Sequence, residues 1–411
     1  MNESINKKIL VVNPGSTSTK IAVFEAAASE NATPEAATPE TATQPAADKS
    51  PTPETATQPA TDKSPTPETA TQPTTSGPLT EVFSETLRHD ANKLQSLGAI
   101  KDQLDYRKQV VMEALKECGC ELTELSAIAC RGGLLRQIPA GTYRVSDAMV
   151  RDCRIGVSGQ HASNLGAMIG SELERESGVP AFVVDPPVVN ELSKLARYSG
   201  YPTIERICVF HALNQKAIAR RYAASVGKAY EEMNLLVCHM GGGVSVGAHV
   251  KGRVLDTEDM VSGEGPFAPE RAGSLPVDKV IDMCFDSGMT REEIKRTFSR
   301  KGGLLAYTGT NEMRVLLQKA AEGDEAVQEV LDAFYYQIGK EIAAMSVAMK
   351  GEVDQIIFTG GIAHSTVVTD AITELVGWIA PVTIYPGEEE MHALAAGAWR
   401  VLTGQEEAKE Y

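Results

Sequence analysis

Three segments of the chain place a turn of small residues directly after a short apolar run. These turns span residues 13–20 (NPGSTSTK), 239–245 (HMGGGVS) and 359–364 (TGGIAH). Glycine lets the backbone approach a ligand closely and aim N–H groups at phosphate oxygens, and Ser or Thr hydroxyls add further donors. A single turn of this kind is often only structural. Three in one chain indicate a site for a phosphorylated ligand.

Neither of the common nucleotide-binding fingerprints explains these turns. The P-loop pattern GxxxxGK[ST] does not occur in the sequence. Residues 263–268 match the dinucleotide pattern loosely, but polar residues 256–262 precede them where a strand is required. We interpret that match as fortuitous.

Taken together with other segments, the turns resemble the acetate and butyrate kinase family of the actin-like, sugar-kinase-like ATPase superfamily. The resemblance rests on residues 13–20, 210–214 (FHALN), 239–243 and 358–361 (FTGG), and residues 131–136 (RGGLLR), 265–271 (GPFAPER) and 385–388 (YPGE) are similar to the butyrate branch. It implies an α/β fold with two ribonuclease-H-like domains and a nucleotide cleft between them. It also implies reversible transfer of a phosphoryl group from ATP to a short-chain carboxylic acid, with butyrate favoured.

Acyl phosphate formation brings two anions together, so the site needs cations and backbone donors rather than a base. The resemblance implies that Arg271 bridges the carboxylate and the phosphoryl group, and that His211 and His161 contact the phosphoryl group. The alternatives are a surface arginine and satisfied core histidines. Asp185 is the acidic residue implied to order Mg²⁺, although an aspartate at a strand end can also be a simple turn former.

Further residues are assigned by the same resemblance. Asn13 and Glu389 belong to the metal region, and Glu389 lies in a run of three glutamates that leaves its alignment open by one position. The carboxylate-binding arginine of acetate kinases has no direct counterpart, so Arg131 or Arg136 is expected to replace it, with Arg131 favoured. The expected nucleotide contacts are Ser16, Ser18, Lys20, Gly241, Gly242, Gly243, Glu312, Arg314, Gly360 and Gly361.

The elements that position these residues follow from hydrophobic periodicity. Strands are predicted at residues 9–13, 20–24, 79–84, 127–130, 181–184, 207–210, 235–238 and 355–358, and helices at 106–118, 162–177, 213–225, 324–349 and 391–403. Strands that alternate with helices favour α/β layers. We expect an N-terminal domain at 1–187, a C-terminal domain at 188–387, and a helix at 388–411 that returns to the first domain and ends in a frayed tail.

Residues 26–77 differ in composition from the rest of the chain. They consist almost wholly of Ala, Thr, Pro, Glu, Gln, Ser, Asp and Lys. A 14-residue unit repeats among them, and its segment PETATQP recurs at 39–45, 53–59 and 67–73. Proline at this frequency breaks helices and sheet ladders, and no unit carries an apolar face that a solenoid could bury. We expect a disordered insertion in a hairpin loop.

Composition limits the remaining possibilities. The 411 residues carry 39 basic and 55 acidic side chains, for a net charge of −16, which disfavours nucleic acid as a partner. We expect no membrane span. The seven cysteines form no paired pattern, so we expect a cytoplasmic protein. The resemblance implies a homo-oligomer that binds ATP or ADP, Mg²⁺ and a short-chain fatty acid. Acetate, propionate or branched-chain carboxylate kinases are the alternatives, and a nucleotide-dependent clamp or chaperone of the same fold is one from another class.

Overall fold

The computed structural model describes residues 7–26, 68–69 and 79–411. In these ranges the strands are β1 (Lys7–Pro14), β2 (Ser18–Ala26), β3 (Glu68–Thr69), β4 (Leu79–Arg88), β5 (Leu125–Arg131), β6 (Thr142–Arg144), β7 (Ala181–Val184), β8 (Asn234–Met240), β9 (Val244–Val250), β10 (Arg253–Asp256), β11 (Gln355–Gly360) and β12 (Val382–Pro386). The α-helices are α1 (Ala91–Leu97), α2 (Leu104–Glu117), α3 (Asp147–Ile155), α4 (Asn164–Ser177), α5 (Ala212–Ser225), α6 (Val277–Asp286), α7 (Arg291–Arg300), α8 (Gly303–Thr308), α9 (Met313–Ala321), α10 (Glu325–Met345), α11 (Thr366–Val376) and α12 (Glu390–Leu402). Across the described ranges, none of these helices combines the length and apolar character needed to cross a membrane.

The first sheet has the strand order β4-β2-β1-β5-β7-β6. Strands β4, β2 and β1 are antiparallel, β1, β5 and β7 are parallel, and β6 is an antiparallel edge. Alternate side chains of β1 point to opposite faces. Leu10 and Val12 pack in the cluster that includes Leu165 of α4, whereas Ile9 and Val11 pack with Leu394 of α12. Helices therefore cover both faces of this sheet.

The second sheet repeats this plan with the order β10-β9-β8-β11-β12-β3. Strands β10, β9 and β8 are antiparallel, and β8, β11 and β12 are parallel. Its core on one face joins Leu236 and Phe358 to Phe334 of α10. The opposite face packs Leu235 and Ile357 against the helix α5 residue Ile218. The predicted α/β class is confirmed, with two sheets of matching strand order.

Most of the expected insertion lies outside the described residues. Within it, the two-residue strand β3 pairs in parallel with Thr383 and Ile384 of β12. The backbone at Glu68 and Thr69 thus extends the second sheet by one short strand, which the proline-rich composition did not indicate.

Two expectations about the described residues are wrong. Residues 207–210 form no strand. Cys208 and Phe210 bury in a small cluster with Val189 and Val254, and only Val209 makes an isolated bridge, so the alternating pattern is satisfied by packing without a ladder.

The C-terminal tail is not frayed. The Lys409 N–H donates to the Thr142 carbonyl at 2.8 Å, and the Tyr411 hydroxyl donates to Asp152 at 2.9 Å. These bonds hold the chain end against the β6 edge of the first sheet.

Candidate active site

A cavity of about 480 Å³ lies between the two sheets. Its walls come from loops at the ends of β5 and β7, the approach to α4, the approach to α5, and the segment after β10. The lining residues that matter below are Arg131, His161, Asp185, His211, Asn214, Arg271, Arg300 and Glu390, together with the apolar residues Leu134, Leu135, Val184, Pro186, Val209, Phe210 and Met260. The cavity therefore combines cations with an apolar wall.

Arg271 enters this cavity across the turn between β8 and β9. A Cβ added to Gly243 would lie 2.2 Å from Arg271 Nη1, so the glycine leaves the space that the guanidinium occupies. The Nη1 atom is buried and has no hydrogen-bond partner among the described residues. Burial lowers the pKa of Arg271 most, Glu270 opposes this, and Arg300 lowers it further. A buried donor without a partner is costly, which indicates that the group is built to meet an anion.

His211 lies at the start of α5, where the helix N-terminus favours anions. Its ring stacks on the ring of His239 with centroids 3.7 Å apart and an angle of 16° between the planes. Burial, and then the neighbouring His239, Arg271 and Arg131, hold the pKa of His211 well below its ordinary value of 6.5. The ring is therefore neutral near pH 7 and acts as a hydrogen-bonding group rather than a cation.

His161 lies on the rim of the cavity just before α4. Its Nδ1 lies 2.8 Å from the Ser163 hydroxyl, and the Ser163 N–H donates to the same nitrogen at 3.2 Å. Surrounding protein atoms, and then Arg131, Arg300 and Arg271, lower the pKa of His161 even though its side chain remains accessible to solvent. Nδ1 is an acceptor here, which leaves Nε2 as the donor.

The N-terminus of α12 contributes the carboxylate of Glu390, the residue after the expected Glu389. Glu390 pairs with Arg131, and the Asn13 amide Nδ2 donates to the same Glu390 oxygen at 2.9 Å. The expected Glu389 pairs instead with Arg221 at 2.6 Å, away from Asn13. Neighbouring residues of a helix point about 100° apart, so a slip of one position selects a different side chain.

Asp185 follows β7 and is 1% exposed. Its φ of 35° lies in the left-handed region, which costs energy for a residue other than glycine. One carboxylate oxygen accepts the Gly141 N–H at 2.8 Å and the other lies 3.3 Å from Arg220. These contacts hold the carboxylate in the cavity wall in a fixed orientation.

The first small-residue turn is supported from behind by a buried arginine that the sequence did not reveal. Arg107 on α2, which is 1% exposed, donates to the carbonyls of Gly15 at 2.8 Å, Ser16 at 3.1 Å and Ser18 at 3.2 Å. Burial lowers the pKa of Arg107. Arg107 binds the turn through these carbonyls and so fixes its backbone, while the Ser16 and Lys20 side chains of the same turn remain exposed.

The second and third turns are packed against each other. Gly360 has φ 89°, and a Cβ there would lie 2.4 Å from the Met240 carbonyl. A Cβ at Gly241 would lie 3.1 Å from both His239 and Glu388. A Cβ added at Gly242 or Gly361 would meet no atom within 4 Å, so the backbone at both positions is accessible to a ligand. These two positions suit close approach by phosphate or nucleoside groups.

The expected residues of the three turns are not among those that line the cavity, and three other expected residues also lie outside it. Arg136 pairs with Asp152 of α3 at 2.8 Å, and its guanidinium is largely exposed. Glu312 and Arg314 are exposed at the start of α9. Of the two candidate arginines for the carboxylate, the structure brings only Arg131 to the cavity.

Sequence reasoning missed further residues besides Arg107. His239 and Asn214 each stand in a quoted motif, and Asn214 Oδ1 lies 2.8 Å from His239 Nδ1. Asn214 Nδ2 is buried without a partner among the described residues. Glu388 lies 3.2 Å from His239 Nε2, and this contact lowers the pKa of Glu388. His239 begins the second small-residue turn and Asn214 ends the segment 210–214, so each could have been found from its own motif.

The oxygen donors near the cavity fit Mg²⁺ in its usual hydrated form. Among the described residues no three His, Cys, Asp or Glu side chains form a cluster that could hold a metal directly. Asp185, Asn13 and Glu390 carry oxygens of the kind that Mg²⁺ prefers, and each already has a protein partner. This donor set suits an ion that keeps several waters and takes further oxygens from phosphates.

Known proteins with similar sequences decide the family. The acetokinase family model matches residues 201–379. Butyrate kinase 1 of Clostridium acetobutylicum is 49% identical over 331 residues, covering 80% of this chain and 93% of that protein. A probable butyrate kinase of Clostridium botulinum strain Alaska E43 is 43% identical over 404 residues, covering 98% of this chain and 99% of that protein. The chain belongs to the acetokinase family.

Solved structures agree with the fold expected for this family. Porphyromonas gingivalis acetate kinase superposes with a TM-score of 0.69 at 16% identity, covering 96% of this chain and 100% of that one. A propionate kinase from Francisella tularensis gives a TM-score of 0.66 at 17% identity, covering 95% and 98%. The acetokinase resemblance read from the sequence and the two-domain α/β fold that it implied are both confirmed.

Proposed function

We propose that the protein is an ATP-dependent carboxylate kinase that converts butyrate and ATP reversibly to butyryl phosphate and ADP. The observation that carries this proposal is the buried Arg271 guanidinium, which lies in the cavity without a partner for Nη1 among the described residues. Neutral His211 and the further cations Arg131 and Arg300 line the same cavity. The 43–49% identity to butyrate kinases supports the same reaction.

The geometry supports direct, in-line transfer. A carboxylate is already ionised near neutral pH, so it attacks phosphorus without a general base. Arg271 would bridge the attacking carboxylate and the transferring phosphoryl group, while His211 and His161 donate to phosphoryl oxygens from Nε2. The open glycines Gly242 and Gly361 would receive the nucleotide. Such catalysis consists of alignment and charge neutralisation.

Bound Mg²⁺ supplies positive charge that neutralises the β- and γ-phosphates. Asp185, Asn13 and Glu390 would hold the ion through water. Because Arg220 and the Gly141 N–H fix the Asp185 carboxylate, the protein would orient a hydrated ion without direct coordination. Glu390 would also hold Arg131 beside the incoming carboxylate.

The apolar part of the cavity supports a short alkyl chain as the other end of the substrate. Val184, Pro186, Val209, Phe210 and Met260 line this region. Each buried methylene contributes about 0.8 kcal/mol. Butyrate has two more methylenes than acetate, so we expect its kcat/KM to exceed that of acetate by about tenfold or more.

Trapping of acyl phosphate with hydroxylamine tests the proposal. Straight and branched acids of two to five carbons are compared with ATP and Mg²⁺, using wild type, Arg271→Ala and Arg136→Ala. Arg271→Ala should lose on the order of 10³-fold in kcat. Arg136→Ala is the matched control because its guanidinium pairs with Asp152, and it should keep wild-type turnover. Absence of acyl phosphate with every acid would refute the kinase, and acetate equal to butyrate would reassign the substrate.

A further inference from the structure

A chain of buried polar side chains leads from His211 into the second domain. Strand β9 turns Ser245, Gly247 and His249 to one face, since side chains alternate along a strand. Val246 and Ala248 turn to the other face, in the main apolar core. Ser245 and His249 are fully buried. Polar groups this deep are retained only when they are hydrogen bonded, and here the bonds connect end to end.

The bonds run between β9, α5 and Tyr230. The Ser245 hydroxyl lies 2.7 Å from His211 Nδ1 and 2.9 Å from Gln215 Nε2. Gln215 Oε1 lies 3.1 Å from His249 Nε2, and His249 Nδ1 lies 2.7 Å from the Tyr230 hydroxyl. Gln215 is one helical turn after His211, so both reach the same face of β9.

One acceptor fixes the direction of every bond in this chain. Gln215 Nε2 also lies 3.1 Å from the Ser245 carbonyl oxygen, which can only accept. The NH₂ group of Gln215 must therefore face Ser245, and its Oε1 must face His249. His249 then carries its proton on Nε2 and accepts from Tyr230 at Nδ1. Burial, Lys216 and Arg220 lower the pKa of His249, which keeps that ring neutral.

The same logic reaches His211. The Ser245 oxygen accepts from Gln215 Nε2 and, at 3.5 Å, from the His211 backbone N–H, so both of its lone pairs have donors and its single proton is left for His211 Nδ1 at 2.7 Å. We infer that Gln215, Ser245, His249 and Tyr230 are positioning residues that hold neutral His211 in the tautomer with its proton on Nε2. This nitrogen then presents a hydrogen-bond donor to the cavity that His211 lines. The inference rests on the proposed function, in which that donor meets the transferring phosphoryl group.

Gly247 supports this assignment. A Cβ at residue 247 would lie 2.3 Å from Gln215 Oε1 and 3.0 Å from His249 Nε2. A side chain here would enter the space of the Gln215–His249 hydrogen bond. The strand therefore gives up a side chain at the point where the bond passes. All donors in the chain point the same way, and bonds aligned in series polarise one another.

The experiment is ¹⁵N NMR of the protein labelled at histidine, with the His211 signals assigned by their loss in His211→Gln. At neutral pH the wild type should show His211 protonated at Nε2. The Nδ1 signal should be shifted by the strong hydrogen bond that Nδ1 accepts from the Ser245 hydroxyl. A proton on Nδ1 overturns the inference, and the tautomer is read on the wild-type protein itself, since the variant serves only to assign the signals. The NMR measurement does not depend on turnover. Failure to form acyl phosphate in the trapping assay would therefore refute the proposed function without deciding the tautomer.

Variants then test the chain itself. Gln215→Met removes the donor that directs the Ser245 proton, so the His211 signals should move toward a mixture of tautomers. We expect kcat to fall roughly tenfold, as is typical when a residue that orients a functional histidine is lost. The KM for ATP and the KM for butyrate should each stay within about threefold of wild type. The matched control is Gln355→Met, because Gln355 is also buried and bonded at both ends, to Tyr222 and Thr383. Unchanged His211 signals in Gln215→Met, or equal shifts in both variants, would overturn the inference.

Discussion

Gly243→Ala tests the placement of Arg271 with a single methyl group. The new Cβ would lie 2.2 Å from Nη1, 3.0 Å from Cζ and 3.5 Å from Nη2 of Arg271. Non-bonded heavy atoms settle at about 3.5 Å, so the near end of the guanidinium must move by about 1.3 Å. A misplacement of about 1 Å at a reacting centre costs about 10²-fold in rate, or roughly 2.7 kcal/mol. We expect this loss in kcat.

The fold should survive this substitution. The φ of Gly243 is outside the left-handed region, and all three atoms nearest the new Cβ belong to the flexible Arg271 side chain. Thermal unfolding should therefore shift by no more than a few degrees. Gly200→Ala is the matched control, since a Cβ at Gly200 meets nothing within 4 Å and its φ is also ordinary.

A double-mutant cycle gives the decisive reading. If the methyl group acts by displacing Arg271, then Gly243→Ala should cost little in an Arg271→Ala background. Turnover is followed by hydroxylamine trapping in all four proteins. Gly243→Ala within about threefold of wild type would refute the placement. Losses that add in the double variant would show that the methyl group acts on something other than Arg271.

Three further predictions concern the supports of the site. Arg107→Met should cost roughly 3 kcal/mol in the free energy of unfolding, because several bonds to a charged donor are lost, and should raise KM for ATP; unchanged urea unfolding would contradict this. Glu390→Gln should lower kcat/KM about tenfold through loss of its pairing with Arg131, while Glu389→Gln stays within twofold, and the reverse order would restore the sequence assignment. Burial and Arg107 lower the pKa of His89 to about 4, so the unfolded chain takes up protons first on acidification. His89 alone should therefore contribute a loss of about 2–3 kcal/mol in the free energy of unfolding between about pH 7 and pH 4.5, in addition to the loss from the other neutral histidines. Urea titrations of His89→Gln should show a total fall that is smaller by this amount.

The sequence indicates those residues of the candidate site whose chemistry is local. The glycine turns follow apolar strands, and His211 opens a helix, so short segments alone indicate where backbone donors meet an anion. The cavity brings together Arg271, His211, His161, Asp185 and Arg131 from five separate segments. Each of these was found from its own neighbours in the chain together with the family resemblance.

The sequence leaves a choice open where that choice depends on a distant partner. Arg131 is the last residue of β5, and Arg136 lies five residues after it. Arg136 is drawn away by Asp152, and the Tyr411 hydroxyl from the far end of the chain donates to the same carboxylate. Neither contact is visible in residues 131–136. The choice between Glu389 and Glu390 likewise depends on Arg221 and Arg131, which lie on different elements.

Buried polar residues expose a further limit of periodicity. The sequence VSVGAHV of β9 alternates apolar residues with small or polar ones, a pattern typical of a strand whose polar side chains face water. Ser245 and His249 are instead fully buried, because α5 covers that face with Gln215. Polarity in the pattern therefore marks a hydrogen-bonded interior and not a surface. Gly247 distinguishes a buried polar face from a solvent-facing one. A strand whose polar side chains face water can carry a side chain between them, because nothing occupies that space. In β9 the hydrogen bond between Gln215 and His249 fills the space, so residue 247 must lack a side chain.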